Sequence, residues 1–145
     1  MLGLKPDEQI REPFLWDAKE KDSKRARWIE PKYSTDATVT PLAQQRLDGS
    51  SYFNHYKKVI ALRQSNPALA IGSLESVKQT YPKSVMAFVR RSADQEVLVL
   101  HHLGKEGVEL PIPEEFGSPI YTSEGVTVKN GTMYLPANSS LVLKK

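Results

Sequence analysis

The side chains that most often carry chemistry are few and scattered in this sequence. Of the three histidines, His55 falls inside a predicted helix, whereas His101 and His102 are adjacent at the end of a predicted strand. Adjacent residues of a strand point to opposite faces, so these two rings cannot converge on one metal ion. We expect one of the two to be buried, and we interpret His55 as a surface or packing residue. The histidines therefore predict no metal site.

The acidic residues and nucleophiles point to no reaction either. Asp7-Glu8 and Glu114-Glu115 are interpreted as solvated charges rather than as a catalytic dyad. The absence of cysteine excludes disulfides, thiolate zinc sites and cysteine nucleophiles. The sequence contains no glycine-rich phosphate loop and no nucleophile-elbow motif. Residue types and spacings alone name no reaction.

Charge and hydropathy argue against two classes of partner. The net charge is +3, and the 20 basic residues are mostly dispersed among 17 acidic ones, so no basic face for nucleic acid is predicted. No apolar run approaches the roughly 18–20 residues that span a bilayer, so no membrane partner is predicted. Residues 1–7 lack the basic start and apolar stretch of a signal peptide. The compartment stays open between cytoplasmic and exported, because a signal could lie upstream in a longer chain.

The first third of the chain is predicted to be a long loop. Residues 5–49 show no sustained periodicity, yet they carry the aromatic residues Phe14, Trp16, Trp28 and Tyr33. A structureless stretch of this length usually means a functional loop or a segment that lies against something else. The alternative is a disordered basic tail, since Lys19–Arg27 is dense in charge.

One helix and then a series of strands are predicted beyond this loop. The helix has apolar residues at spacings of three and four from Tyr52 to Arg63, with Asp48 or Ser50 as its cap and Pro67 as its stop. Short β-rich runs and turn signals follow, including Asn130-Gly131, a strong hairpin signal. They predict an antiparallel β-sandwich or barrel of six to eight strands. The predicted strands are Ser76–Tyr81, Val85–Arg91, Glu96–Leu103, Val108–Ile112, Gly125–Lys129, Thr132–Leu135 and Ser139–Leu143.

Three segments, in order, resemble the C-terminal end of the α-amylase family of glycoside hydrolases. Met1–Trp16, with its Arg11-Glu12-Pro13-Phe14-Leu15-Trp16, is similar to the family's loop after barrel strand eight, which carries Arg-x-Pro-(Met/Phe)-x-Trp. Val39–Arg63 resembles the last barrel helix and its approach. Asn66–Gly72 with the two strands after it resembles the linker and the opening of the C-terminal sandwich.

The resemblance implies a mainly β fold in two parts. Residues 1–66 would be the loop-rich end of a TIM barrel with its last helix, and residues 67–145 a Greek-key β-sandwich that supports the barrel. The parent would be a retaining hydrolase of α-glucosidic bonds in starch-like oligosaccharides, with an aspartate nucleophile and a glutamate acid/base. Those acids follow earlier barrel strands in the family, so this chain alone is expected to be inactive. Met1 fits the family's loop as an internal residue, so we expect a truncation.

By the same resemblance, Arg11 is the candidate substrate-binding residue, with a salt bridge that anchors the loop as the alternative. Asp7 and Glu8 could flank substrate but are interpreted as loop charges. Trp16 and Trp28 could stack on sugar rings, although packing against the barrel is favoured. No cofactor is predicted in this chain; calcium would belong to the parent, where its ligands usually lie upstream.

The uncovered helix face, formed by Tyr52, Phe53, Tyr56, Val59 and Ile60, is predicted to be covered by the sandwich or by self-association. The rival interpretation of the whole chain is a stand-alone β-sandwich that binds carbohydrate or protein and carries a basic arm. Such a carbohydrate module would show an exposed aromatic platform on the sandwich. The candidates for it are Tyr81, Phe88, Phe116, Tyr121 and Tyr134, of which Phe88 is predicted to alternate into the core.

Overall fold

A computed structural model describes residues 11–18, 22–23 and 25–145 of the chain. The chain divides into two compact units, Met1–Val59 and Ile60–Lys145, with the division inside a helix. The domain boundary predicted between residues 66 and 67 lies a few residues C-terminal to this division, and it stays a prediction. The interpretations of Asp7 and Glu8 concern positions outside the described residues.

The first unit contains a short helix, α1 (Leu42–Leu47), and the beginning of a longer one, α2 (Tyr52–Ser65). The predicted helix is confirmed, but its capping residue is not the predicted Asp48 or Ser50. The hydroxyl of Ser51 accepts a hydrogen bond from the backbone N of Asn54 at 3.3 Å. Asp48 instead closes the preceding turn, since its carboxylate accepts hydrogen bonds from the backbone N and hydroxyl of Ser50 at 2.9 and 2.7 Å.

The second unit is a two-sheet antiparallel sandwich preceded by a short helix, α3 (Pro67–Ile71). Pro67 starts this helix, where a missing N–H costs nothing. Sheet A has the strand order β1-β2-β3-β8-β5 and sheet B the order β4-β7-β6, so the β3–β4, β4–β5, β5–β6 and β7–β8 connections cross between the sheets. The strands are β1 (Ser73–Ser76), β2 (Val85–Arg91), β3 (Glu96–His102), β4 (Val108–Pro111), β5 (Ser118–Thr122), β6 (Thr127–Lys129), β7 (Thr132–Leu135) and β8 (Ser139–Lys144).

Alternation along the strands of sheet A creates two apolar layers. One set of side chains, including Leu98, Leu100 and Leu141, meets Met133 and Leu135 of sheet B to form the main core. The opposite set, with Val97, Val99 and Val142, packs against Ala68 of α3 and Leu62 of α2. Phe88 belongs to this second cluster and is half-buried there. The layers of this unit are therefore helix, sheet A and sheet B.

The predicted strand at Ser76–Tyr81 is wrong for most of its length. β1 ends at Ser76, after pairing with Phe88–Arg91 of β2. From Lys78 to Tyr81 the side chains still alternate between exposed and half-buried, and Val77 and Tyr81 pack on the main core. The side chains therefore alternate in burial as the sequence pattern predicts, but no neighbouring strand pairs with this segment.

The structure also contains β5, which the sequence did not predict. Pro119 lies within it and Gly117 just before it, and both residues argue against a strand. β5 is the edge strand beside β8, with a register shift between Pro119 and Tyr121, and an edge tolerates proline. The predicted Asn130-Gly131 hairpin is confirmed, because both residues have positive φ (50° and 76°) between β6 and β7.

The two adjacent histidines lie on opposite faces of their strand and one of them is buried, as predicted. His102 is buried, and its Nδ1 donates a hydrogen bond to the Pro136 carbonyl at 2.9 Å. His101 lies on the opposite face, half-buried, with its Nδ1 2.8 Å from the Ser140 hydroxyl. Among the described residues, no group of three or more potential metal ligands is found. None of the described helices is long and apolar enough to cross a membrane.

Candidate functional site

The candidate site lies in residues 11–41, which form an ordered path without regular secondary structure where they are described. Alternate residues of the Arg11–Trp16 motif are buried: Pro13 and Leu15 point inward, whereas Phe14 and Trp16 are exposed. The carbonyls of Leu15 and Trp16 accept hydrogen bonds from the first two amides of α1 at 3.2 and 2.9 Å. The motif is therefore tied to the start of α1.

Glu12 clamps the distant end of this loop. Its Oε1 accepts hydrogen bonds from the backbone N of Lys32 (2.9 Å) and Tyr33 (3.0 Å), and its Oε2 from those of Tyr33 (2.8 Å) and Ser34 (2.7 Å). Partial burial raises the pKa of this carboxyl, but the hydrogen bonds together outweigh that effect and lower the pKa below its ordinary value. Glu12 is thus held ionised, as a carboxylate that satisfies three successive amides.

A second carboxylate and a guanidinium complete the framework of the loop. Asp22 Oδ2 accepts hydrogen bonds from the backbone N of Trp16 at 3.0 Å and of Asp17 at 3.1 Å. Arg25 Nη2 donates to the Ser34 carbonyl. Together with Glu12, these contacts connect the Arg-x-Pro segment to Asp22 and residues 32–34, and Arg25 to Ser34, so charged side chains supply the hydrogen bonds that a neighbouring strand would otherwise make.

This framework presents aromatic rings to the surface. The Phe14 and Trp16 rings pack edge to face with centroids 4.7 Å apart, and Trp16 remains 41% exposed. Trp28 is 56% exposed and borders a cavity of about 420 Å³ that Asp17, Arg25 and Asp36 also line. Indole, carboxylate and guanidinium groups around a space of this size can stack on a sugar ring and bond its hydroxyls.

The predicted site residues are only partly brought together. Trp28 lines the cavity, and Trp16 lies beside Phe14 on the exposed side of the motif. Arg11 is exposed, one residue before the Glu12 clamp, and its role in substrate binding stays a prediction. Glu12 and Phe14 were not among the predicted site residues. The amides that Glu12 binds lie some 20 residues away and follow no spacing rule, whereas Phe14 was visible as the aromatic at the Met/Phe position of the motif.

The second unit carries the joint that fixes the end of α2 and the start of α3. Asn66 Nδ2 donates to the Leu62 carbonyl at 2.7 Å, and Asn66 Oδ1 accepts from Gln95 Nε2 at 2.7 Å. Gln95 Oε1 in turn accepts from the backbone N of Ala68 at 3.1 Å. Arg63 adds hydrogen bonds to the carbonyls of α3 at 2.7 and 2.9 Å. This relay joins the helices to the β2–β3 turn through side-chain amides.

Comparisons with known proteins agree with this arrangement. Residues 85–142 match the family described as the alpha-amylase SusG C-terminal domain. Alpha-amylase 3 of Dictyoglomus thermophilum is 36% identical over 105 residues, which are 72% of this chain and 21% of that protein. Alpha-amylase SusG of Bacteroides thetaiotaomicron is 28% identical over 153 aligned positions, covering 95% of this chain and 21% of that protein.

Solved structures extend the likeness to the fold. An isomaltulose synthase from Erwinia rhapontici matches with a TM-score of 0.69 and 26% identity, over 91% of this chain and 24% of that one. The trehalulose synthase MutB of Pseudomonas mesoacidophila has a TM-score of 0.72 at 21% identity, over 92% of this chain and 25% of that one, and shows the fold alone. The chain spans about a fifth of the length of these curated relatives.

The predicted antiparallel sandwich is therefore confirmed, and the family match falls within it. The curated relatives extend upstream of that match, so the loop, the helices and the sandwich belong to one continuous likeness. This chain corresponds to the C-terminal region of an α-amylase-family glycoside hydrolase.

Proposed function

We propose that this chain completes and supports the catalytic barrel of a retaining glycoside hydrolase that acts on α-glucosidic bonds of starch-like oligosaccharides. The relatives include proteins named alpha-amylase, oligo-1,6-glucosidase and cyclomaltodextrinase. No residue of this chain matches the family's catalytic acids, so they would be supplied from outside it. The chain by itself is then a supporting and substrate-adjacent part, without activity of its own.

The observation that carries this proposal is the amount of apolar side chain left exposed before the sandwich begins. Leu47 is 90% exposed and Tyr52 81% exposed, and Tyr56, Val59 and Ile60 of α2 are also exposed. A domain that acts alone rarely leaves so many large apolar residues in water. In the curated relatives, about four fifths of the protein lies outside the matched region, and that part would cover this surface.

The loop of residues 11–41 would then face the substrate side of the barrel. Active sites of such barrels are built from the loops that follow the strands, and this loop resembles the one after strand eight. Arg11 would bond substrate hydroxyls or an acid of the sugar pocket. Trp16 and Trp28 would pack on the barrel or stack on sugar rings.

Three further expectations depend on the same proposal. The partner would be an α-glucan oligosaccharide, bound mainly by the barrel. Calcium would be a structural ion of the whole enzyme, with its ligands upstream. Without the barrel, the exposed face of α2 would promote self-association of this chain.

A chimera tests the proposal directly. The segment of Bacteroides alpha-amylase SusG that matches 95% of this chain would be replaced by residues 1–145, and reducing-sugar release from maltooligosaccharides would be measured. We expect activity from the chimera and none from this chain alone or from the relative with the segment deleted. Activity of the isolated chain would overturn the proposal, as would an inactive chimera when the relative's own segment restores activity.

The same chimera assigns a role to Arg11. Arg11→Lys keeps the positive charge but removes the planar fork that bonds two oxygens at once. If Arg11 binds substrate, we expect KM to rise about tenfold with a smaller change in kcat. A tenfold rise corresponds to the loss of about one charge-assisted hydrogen bond to the substrate. Arg46→Lys, at the end of α1, is the matched control and should leave both constants unchanged. Equal KM and kcat values for the two variants would show that Arg11 does not bind substrate.

A further inference from the structure

A second cleft, remote in sequence from the loop, opens in the sandwich. It has a volume of about 580 Å³ and is formed by the ends of sheet A strands together with residues 75–81 and 113–116. Its volume lies within the usual range for small-molecule sites. Glu75 of β1 is paired with Val89 of β2, and Arg91 at the end of β2 is paired with Glu96 of β3, so hydrogen-bonded strands hold these walls.

A row of paired charges lines one wall of this cleft. Arg91 Nε lies 3.3 Å from Glu75 Oε1, and Arg91 Nη2 lies 3.3 Å from Glu96 Oε2. Lys145 Nζ lies 3.7 Å from the same Glu96 oxygen. About half of the Arg91 side chain is still exposed. The row therefore presents fixed donors and acceptors with capacity for further hydrogen bonds.

The net charge of the residues that line the cleft is close to zero, and this favours a neutral ligand. An anion would face carboxylates, a cation would face the guanidinium and ammonium groups, and an apolar molecule would strip water from both. A neutral molecule with many hydroxyls can donate to the carboxylates and accept from the cations. The lining carries four acidic residues (Glu75, Glu96, Glu114 and Glu115) and three basic ones (Lys78, Arg91 and Lys145).

Tyr81 supplies an aromatic wall and an unused donor. Its ring packs on the main core and lines the cleft, as Phe116 does, and its hydroxyl is covered and has no hydrogen-bond partner among the described residues. Burial, with a further effect of the Glu115 charge, raises the pKa of this phenol, so it remains a neutral donor at physiological pH. Glu114 and Glu115 are exposed and line the same cleft as the Tyr81 ring.

We propose that this cleft is a carbohydrate-binding site on the sandwich, which takes one or two pyranose units of an α-glucan chain. The paired charges would bond the hydroxyls, and the Tyr81 ring would pack against a sugar face. The choice of an α-glucan rests on the proposed function of the whole enzyme. The cleft is distinct from the loop site, and it would hold a substrate chain without reacting with it.

The test is a titration of maltotriose into the ¹⁵N-labelled 145-residue chain, followed by NMR. We expect shift changes for residues on the walls of the cleft, and weak, saturable binding. Shift changes confined to residues 11–41, or no shift changes at tens of millimolar sugar, would contradict the proposal that the cleft binds sugar. Neither outcome would bear on the activity of the chimera. Equal binding of cellotriose, whose linkages are β, would overturn the assignment to α-glucans.

Two matched pairs of variants sharpen the titration. Glu75→Gln removes one charge of the row and should weaken binding about threefold to tenfold, whereas Glu109→Gln on β4, outside the cleft, should not. Tyr81→Phe deletes only the unpaired hydroxyl, so the fold should keep its stability while affinity falls by a similar factor. Tyr134→Phe is its control. Unchanged affinity in both Glu75→Gln and Tyr81→Phe would overturn the site, whatever the activity of the chimera.

Discussion

Residues 11–41 and the sandwich reach a defined conformation by different means. In the loop, carboxylates and a guanidinium bind backbone groups that no neighbouring strand satisfies, and few side chains are fully buried. In the sandwich, strands pair with one another and two apolar layers are sealed on either side of sheet A. The sandwich can therefore supply its own stability, whereas the loop depends on a few charged contacts and on whatever covers its rings.

The largest effect is expected from a substitution in the core of the sandwich, which should leave the loop unaffected. Leu98 of β3 is fully buried in the main core, and Leu98→Ala should reduce the free energy of unfolding by about 2–5 kcal/mol, because it removes apolar contacts and leaves a cavity. Urea denaturation followed by far-UV circular dichroism measures this loss. Leu74→Ala, on an exposed position of β1, is the control and should stay within about 0.5 kcal/mol of the wild type.

The same kind of substitution in the loop should have a local effect only. Leu15 is also buried, but we expect Leu15→Ala to leave the unfolding midpoint of the sandwich almost unchanged and to speed amide exchange around residues 15–16. An equal loss of global stability in Leu15→Ala and Leu98→Ala would mean that loop and sandwich unfold as one unit, contrary to the comparison.

An intermediate effect is expected at the joint between the helices and the sheet. Gln95→Leu removes the acceptor of the Ala68 amide and the donor to Asn66, and leaves the amide of the buried Ala68 and the Oδ1 of the half-buried Asn66 without these partners. We expect a loss of about 1–3 kcal/mol in the free energy of unfolding. Asp94→Asn, in the same turn but exposed, should have no measurable effect. If the two variants denature alike, the relay does not hold α3 on the sheet.

A smaller and local effect is expected when the carboxylate clamp of the loop is weakened. Glu12→Gln keeps the shape of the side chain but removes the charge that three amides share, so exchange of the Lys32, Tyr33 and Ser34 amides should accelerate. Glu30→Gln, exposed in the same loop, is the control. The sandwich amides should keep their protection in both variants.

Acid should reproduce this weakening in the wild type. The folded-state pKa of Glu12 lies below its ordinary value of 4.5, so the clamp contributes in full above that value. Its contribution is then lost as the pH falls through the lower folded-state pKa. Protection of these three amides, measured relative to their intrinsic exchange at each pH, that stays constant across that range would show that the carboxylate does not hold the loop.

The sequence predicted the sandwich well because most of its strands follow a local rule. Period-two alternation and a two-residue turn with positive φ located β2, β3, β7 and β8, and the two faces of sheet A follow from them. β5 was missed because proline is normally excluded from strands, and only its place at the sheet edge makes Pro119 acceptable. The order of the strands depends on that edge and could not be read locally.

The candidate site was predictable only in part. The Arg-x-Pro motif and the spaced tryptophans indicated where a substrate-facing loop would lie, through resemblance. The clamp by Glu12 was not predictable, because it depends on three amides about 20 residues away in a segment without periodicity. The sandwich cleft was not predictable either, since its walls come from β1, β2, β3 and the turn before Phe116. Contacts of this kind arise from tertiary packing, not from spacing.

The smallest expected effect concerns the pH dependence of the sandwich. Burial beside Phe88 lowers the folded-state pKa of His101 from its ordinary value of 6.5, so the unfolded chain takes up the proton more readily. Stability is therefore complete above pH 6.5 and declines as the pH falls through the lower folded-state pKa. In thermal melts from pH 7.5 to 5.5, His101→Gln should flatten this decline slightly, by less than the Gln95→Leu loss, because the ring is only half-buried. His55→Gln, exposed on α2, should keep the wild-type slope; identical slopes for all three proteins would mean that His101 does not couple protonation to folding.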